Sequence, residues 1–455
     1  MKLTYKILCT DVLSGLKTIP DESIDCIVTS PPYWGLRDYG QETNVIWDAN
    51  FDCEHEFNLE RFQRAPSETG KISKKAKFGQ GYRNYESGFC KKCGAWYGQL
   101  GLEPTLDMYL EHLLQIMKEL KRVLKKTGVI YWNHGDSYAS PGTQRFDNHK
   151  YSGISGIHCG RARTTDYPAK CMLMQNYRLI IRAVDKLGLI LRNIIIWEKP
   201  NAMPSSVEDR LNNRYEPVFM LVKNKKYWFD LDAIREPHKN STVQRSRYET
   251  TAFGGDDNNP LGRLGKGIKG GARRTKTVDL NPLGKNPGDI FHISTEPFSD
   301  AHFATFPTKL VKILIETGCP QWICSKCGKA RERITRKEWD NPRDANRTGL
   351  NKDWRKIGAS RMNEGNFPTG VKYYTMGWTD CGCNADWDSG VVLDPFLGSG
   401  TTMLVAKQLN RSCIGIEINP KYCEMAKRRV GWYEQKIDME VEYIYEHGDK
   451  NVRIR

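Results

Sequence analysis

An open, mostly parallel α/β sheet with helices on both faces is the fold this sequence predicts. Three observations lead there. Short apolar runs of strand length alternate with segments of helical period. These core elements come from both ends of the chain, so the N- and C-terminal parts must assemble together. Near the C-terminus a buried run enters a glycine-rich turn and then a helix start, VVLDPFLGSGTT (Val391–Thr402).

Taken in order, Tyr5–Cys9 is a first strand, VLSGLKTI after Asp11 a helix, and Ile24–Ser30 a second strand stopped by Pro31 and Pro32. Periodicity is lost over residues 38–100, which read as an insertion. It returns over Thr105–Lys126, an amphipathic helix with a basic C-terminal end, closed by Gly128 and followed by a strand over Val129–Asn133. Residues 135–170 read as a polar loop. Met172–Leu187 is helical, and Leu189–Trp197 and Tyr215–Val222 are strands. Residues 239–289 hold nine glycines and ten Lys or Arg against five Asp or Glu, the composition of a segment ordered only on a polyanion. FPTKLVKILIETG is a helix, residues 324–383 a second insertion, and Val391–Leu393, Thr401–Leu409, Ser412–Ile416 and Pro420–Val430 complete the strand–helix alternation.

The chain has 455 residues, 39% hydrophobic and 27% charged, the balance of a folded globular protein rather than a disordered one. No apolar run reaches the roughly 18 residues of a membrane span. Asp11 breaks the short apolar N-terminus, which argues against a secretory signal. These features predict a soluble cytoplasmic protein. The net charge of +15 suits a polyanionic partner, nucleic acid first.

Two motifs carry chemistry. In VVLDPFLGSGTT the glycines let the backbone approach a ligand, and the helix start offers free N–H groups. Glu417, in CIGIEIN, ends the next strand, where an acid can accept hydrogen bonds from both hydroxyls of a ribose. In TSPPYWG (Thr29–Gly35) two prolines fix the backbone, so the carbonyls of Ser30 and Pro31 point in set directions. The Ser30 hydroxyl adds an acceptor, and Tyr33 and Trp34 add flat faces. Rigid acceptors beside an aromatic suit an exocyclic amine on a planar base.

TSPPYW together with DPFLGSGTT resembles the amino-methyltransferases of DNA, which move a methyl group from S-adenosylmethionine to an exocyclic base nitrogen. The catalytic motif precedes the cofactor motif, the order of the family's permuted beta group. LKRVLKKTGVIYWNHGDSY, the stretch from LILRNIIIWEKPN to VKNKKYWFD, and HFATFPTKL also look like family blocks, so the resemblance covers about two thirds of the chain. It implies a Rossmann-like methyltransferase fold. It matches Asp394, Pro395, Phe396, Gly398, Ser399 and Gly400 to the loop around the methionine part of the cofactor, with Thr401 and Thr402 opening the next helix. Glu417 matches the ribose-binding acid, with Asn419 beside it. Asp11 matches the adenine contact, and Phe303, Phe306 and Pro307 match the block at the cofactor's amino-acid end. Ser30, Pro31, Pro32 and Tyr33 match the catalytic tetrapeptide.

The implied mechanism needs no covalent intermediate. Hydrogen bonds from the amine to Ser30 and the Pro31 carbonyl favour a pyramidal nitrogen whose lone pair meets the sulfonium methyl in line. The base must first leave the duplex, and Tyr33 is the expected stacking partner. Ser in the first motif position resembles cytosine-N4 enzymes and Asp resembles adenine-N6 enzymes, so cytosine N4 is expected, with adenine N6 the alternative. A methyltransferase of RNA or of a protein amide, or an inactive zinc-bearing DNA-binding relative, are the competing readings.

On this basis the methyltransferase domain is divided into residues 1–37 with the catalytic motif, 101–238, 301–320 on the cofactor side and 389–455 with the cofactor loop. Residues 38–100 and 321–388 are insertions, and 239–300 is a basic target-recognition segment. The chain has fourteen cysteines. Cys53, His55, Cys90 and Cys93 form one tetrahedral set, with Glu54 or His112 as competitors for the His55 position. Cys324, Cys327, Cys381 and Cys383 form a second. Four N/S ligands with no open position is the pattern of a structural zinc, which would stabilise insertions without an apolar core of their own. Basic residues in the insertions (Arg61, Arg64, Lys71, Lys74, Lys75 and Lys77; Arg331, Arg333, Arg336, Lys337 and Arg343) are candidates for phosphate contacts. Double-stranded DNA is the expected partner, with a cognate restriction endonuclease as a further one and a monomer or homodimer as the assembly.

Overall fold

A computed structural model of the protein describes residues 3–36, 38–50, 52–64, 83–139, 158–159, 167–239, 241–242, 280–281, 283–296, 306–339, 371–431 and 439–442. They divide into two compact units. The larger comprises residues 1–230, 288–331 and 381–455, and the smaller comprises 231–287 and 332–380.

The larger unit begins with β1 (Tyr5–Leu8), α1 (Val12–Lys17) and β2 (Ile24–Thr29). The first insertion contributes β3 (Val45–Trp47), β4 (Phe57–Arg64), β5 (Arg83–Cys90) and β6 (Trp96–Gly98). The core resumes with α2 (Leu106–Val123) and β7 (Leu124–Asn133), a short β8 (His158–Cys159), α3 (Gln175–Leu187), β9 (Ile190–Glu198) and β10 (Tyr215–Val222). It continues with β11 (Ile290–His292), α4 (Thr308–Gly318) and β12 (Ile323–Cys324). In the smaller unit β13 (Arg333–Trp339) pairs antiparallel with β14 (Val371–Trp378). The larger unit ends with β15 (Trp387–Asp388), β16 (Val391–Asp394), α5 (Thr401–Gln408), β17 (Ser412–Ile416), α6 (Pro420–Arg429) and β18 (Met439–Glu442).

Nine strands form one sheet in the order β11-β9-β10-β7-β2-β16-β17-β1-β18. Only β10 runs against its neighbours; every other pairing is parallel. Strands from the two ends of the chain lie side by side, β2 beside β16 and β1 beside β17, as the split sequence pattern requires. The side chains alternate between two cores. Ile24, Ile27, Ile130, Trp132 and Phe219 pack with α1, α2 and α3. Cys26, Val28, Val129, Tyr131 and Val218 pack with α4, α5 and α6 on the opposite face. This is the doubly wound arrangement, and period-2 alternation between two apolar layers explains the near-continuous apolar runs.

Two local expectations are corrected. The helix over Thr105–Lys126 stops at Val123, and Gly128 lies inside the following strand. Leu124 turns extended because it pairs with Ile24 of β2, so strand pairing overrides helical periodicity for the last turn. The first insertion also has structure of its own. Its four strands and β8, from the segment read as a polar loop, form a five-stranded sheet, β3-β6-β5-β4-β8, with Phe57, Cys90 and Ala95 in a small buried cluster, while Trp47 and Trp96 join the main core. Among the described residues no helix is long and apolar enough to cross a membrane.

Candidate active site

The ends of the central strands meet at one edge of the sheet. There they open a cleft of about 530 Å³, within the size range of small-ligand sites. Asp11 follows β1, Ser30 follows β2, Asn133 ends β7, Asp394 ends β16 and Glu417 follows β17; all five line the cleft. The antiparallel β10 brings its opposite end to the same edge and adds Glu216, while β9 leads into Lys199.

Asp394 ties the two motifs together. Its Oδ1 accepts from the Thr29 hydroxyl at 2.7 Å and from the Phe396 N–H at 3.1 Å, and its Oδ2 accepts from Thr402 at 2.6 Å. The side chain is buried, and burial pushes its carboxyl up to about 6 against these donors. Asp394 thus fixes the glycine turn against the end of β2. In that turn Gly400 has φ +81°, and a Cβ there would lie 2.8 Å from the Cβ of Ala426, so glycine is required on both counts.

Glu417 is 9% exposed. Its Oε2 accepts from the Gly398 N–H and its Oε1 from the Asn419 N–H, each at 2.8 Å. Burial pushes this carboxyl up to about 7. Asn419 and Asp11 line the cleft while also capping helices: Asn419 Oδ1 accepts from the Lys421 N–H, and Asp11 Oδ1 from the N–H groups of Leu13 and Ser14. Phe306, Pro395, Phe396, Ser399 and Thr401 also line the cleft, Pro307 caps α4, and Phe303 lies outside the described residues. Arg429 of α6, which no motif flags, donates to the hydroxyls of Ser399 and Thr401, each at 2.7 Å.

The SPPY tetrapeptide is held from behind. The Tyr109 hydroxyl donates to the Pro32 carbonyl at 2.6 Å. Its single proton is thereby committed, so the contact to His134 Nε2 at 3.2 Å makes His134 the donor there. His134 Nδ1 then accepts from the Trp132 indole. Burial pulls His134 down to about 3, so this ring is neutral at physiological pH. The Pro31 carbonyl has no donor among the described residues, whereas that of Pro32 is taken. Tyr109→Phe should therefore loosen the motif and strand the His134 N–H. We expect a cost of about 1–3 kcal/mol, seen as a lower thermal midpoint together with slower turnover.

Tyr33 faces the cleft with its ring 5.0 Å from that of His134. A Cβ on Gly135 would come within 2.8 Å of the Tyr33 ring, so that glycine seats it. Trp34 does not share this placement. It is 2% exposed, its indole donates to the Glu103 carbonyl, and it belongs to the core. The flat face expected from Trp34 is turned inward because Gln175 and Glu103 hold it there.

Both cysteine sets assemble. Within each, the four ligand atoms lie within 4.8 Å of one another. A tetrahedron with Zn–S bonds of about 2.3 Å has edges near ~3.8 Å; Cys53 and Cys90 sulfurs are 3.9 Å apart, and Cys93 Sγ is 3.3 Å from His55 Nδ1. The two CxxC turns repeat one hydrogen-bond pattern. Gly94 N–H donates to the Cys90 carbonyl and Gly328 N–H to that of Cys324, each at 2.9 Å. His112 is no competitor for His55. It stacks on Trp47, and its two nitrogens contact Glu103 and Asp48. Of the basic candidates, Arg331 stacks on Trp387 and Arg333 on Trp378. Lys71, Lys74, Lys75, Lys77, Arg343, and residues 240 and 243–279 lie outside the described residues.

A cleft at the carboxyl ends of parallel strands, with a buried acid one strand beyond a glycine-rich turn, defines an α/β enzyme that uses a nucleoside cofactor. The family model described as "DNA methylase" (N6_N4_Mtase) matches residues 24–321 and 384–428, most of the chain. The protein belongs to this family, the S-adenosylmethionine-dependent amino-methyltransferases of DNA. It is 25% identical over 427 residues to the Type II methyltransferase M.SmaI of Serratia marcescens, covering 93% of this chain and 90% of that one. To M.Cfr9I of Citrobacter freundii it is 27% identical over 426 residues, covering 92% and 85%. Among solved structures, PvuII DNA methyltransferase (cytosine-N4-specific) aligns over 94% of this chain and 87% of its own, with 15% identity and a TM-score of 0.43.

Proposed function

We propose that this DNA methyltransferase is site-specific and methylates N4 of a flipped-out cytosine, with Ser30, Pro31, Pro32 and Tyr33 as its catalytic motif. One observation carries the reading: Ser30 and Pro31, whose carbonyl has no donor among the described residues, line the same cleft as Glu417 and the glycine turn. S-adenosylmethionine supplies an electrophilic methyl group when bound. The residues fit it. Glu417 keeps lone-pair capacity for ribose hydroxyls beyond the Gly398 and Asn419 N–H groups that its two oxygens accept. Asp11 would meet the base end, and Phe396, Ser399 and Thr401, the last two braced by Arg429, would meet the methionine end.

On the substrate side, Ser30 and the Pro31 carbonyl accept the two amine hydrogens and orient the nitrogen lone pair. Tyr33 presents its ring to the base. A neutral serine acceptor favours cytosine; an adenine-N6 product would keep the same positioning with the other base. Double-stranded DNA would be held by the basic insertions and by the 239–300 segment, and a cognate endonuclease would place the protein in a restriction–modification pair. Expression in a host without its own methylases, followed by nucleoside mass spectrometry of the DNA, tests this. N4-methylcytosine is expected. N6-methyladenine overturns the base assignment, and an unmethylated genome from folded, cofactor-binding protein overturns the DNA reading.

The two cysteine clusters hold structural zinc in this reading, and the chemistry of the donor sets supports it. Atomic absorption should find two zinc ions per chain. Chelation should lower the thermal midpoint and expose the insertions to protease before the core. Cys53→Ser and Cys381→Ser should each remove one equivalent.

A further inference from the structure

Beside the tetrapeptide lies a second polar group that neither motif contains. The Tyr33 hydroxyl is 3.1 Å from Ser30 Oγ, 3.1 Å from Glu216 Oε2 and 3.3 Å from Asn133 Oδ1. The other Glu216 oxygen, Oε1, accepts from Lys199, whose ammonium sits 4.3 Å above the Trp197 ring. Asn133 has its amide orientation fixed by an Nδ2 bond to the Pro217 carbonyl.

Tyr33 has one proton and three candidate acceptors, Glu216 Oε2, Ser30 Oγ and Asn133 Oδ1. The carboxylate is the strongest of them, so the proton goes to Glu216. The phenolic oxygen is then an acceptor, and the Ser30 hydroxyl donates to it. Both Ser30 lone pairs are left free to accept. With an uncharged residue at position 216, Tyr33 could instead donate to Ser30, which would present an O–H where a lone pair is needed.

We propose that Glu216, braced by Lys199, is a positioning residue that sets the direction of the Tyr33–Ser30 hydrogen-bond chain and receives the proton released by methyl transfer. As the new N–C bond forms and the S–C bond breaks, the sulfonium becomes a thioether and the amine carries one proton too many. That proton passes to Ser30 Oγ, the Ser30 proton to Tyr33, and the Tyr33 proton to the Glu216 carboxylate. Atoms and charge balance without a further reactant. The inference rests on the methyl-transfer reading above.

A double-mutant cycle tests it on full-length protein with S-adenosylmethionine and methyl-free DNA. Glu216→Gln is expected to lower the single-turnover rate about 100-fold, with the dissociation constant for S-adenosylmethionine changed less than about twofold. In a Tyr33→Phe background the same change should cost almost nothing more, because Glu216 acts through Tyr33. Lys199→Met, which keeps the carboxylate, should show a smaller loss of the same kind. Additive losses, or a loss traced wholly to cofactor affinity, overturn the inference. Wild-type protein that transfers no methyl group to any DNA overturns the underlying reading, and the inference with it.

Discussion

Ser30→Ala is expected to lower single-turnover methyl transfer about 100- to 1000-fold, the usual cost of removing one preorganised hydrogen-bonding group at a reacting centre. The backbone should not move. Pro31 and Pro32 fix the local dihedrals, and Tyr109 holds the Pro32 carbonyl from outside the cleft. Cofactor affinity should change little, since the cofactor-side groups are set by Asp394 and Glu417, not by Ser30. Equilibrium binding of S-adenosylmethionine together with a single-turnover assay separates the two effects. A variant that binds cofactor normally and still transfers at more than a tenth of the wild-type rate would mean that the Pro31 carbonyl alone suffices.

The parts of this site legible in the sequence are those with a local signature. A strand, an acid and Gly-x-Gly in one run of twelve residues announce the cofactor loop. SPPY announces itself because two prolines after a strand leave few backbone options. CxxC spacing announces both cysteine sets, since each CxxC pair comes from one turn. Tyr109, Asn133, Lys199, Glu216 and Arg429 carry no such signature. Each is a single polar residue in an ordinary helix, strand or loop; sheet order brings Asn133, Lys199 and Glu216 to the cleft, and helix packing sets Tyr109 and Arg429 behind its lining residues. Glu216 arrives because β10 is antiparallel to β7, so its first residues, rather than its last, reach the active edge. A RYEPVF run gives no hint of that direction. Trp34 fails for the converse reason: its neighbour Tyr33 has the expected face, but successive residues of a turn do not share one. The signal that could have found Glu216 and Lys199 is charge inside otherwise apolar strand ends, where an ion needs a partner.

For Glu417 the expected result is a pH-dependent cofactor affinity centred near neutrality. Its folded-state value of about 7 lies above the ordinary 4.5 because burial disfavours the charge. The sign follows from linkage. Below pH 4.5 the carboxyl is neutral in folded and unfolded chains alike. As pH rises through about 7 the folded chain must bear a buried charge, so this group's contribution to stability is lost over that window. The cofactor acts in the opposite sense. Two ribose hydroxyls can donate to the ionised carboxylate, whereas a protonated one offers a poorer set of acceptors. Affinity for S-adenosylmethionine should therefore be weaker at pH 6 than at pH 8, and the thermal shift it produces should be larger at pH 8. Glu417→Gln should flatten both dependences near pH 7 and weaken binding by about tenfold or more, the loss of charge-assisted hydrogen bonds. Asp394 titrates lower, near 6, and its oxygens are engaged by Thr29, Phe396 and Thr402, so it leaves a residual dependence on the acid side. Isothermal titration calorimetry across pH 5.5–8.5, in buffers of different ionisation enthalpy, counts the protons released on binding. A wild-type titration with no proton release between pH 6 and 7.5 would mean that Glu417 does not receive the ribose.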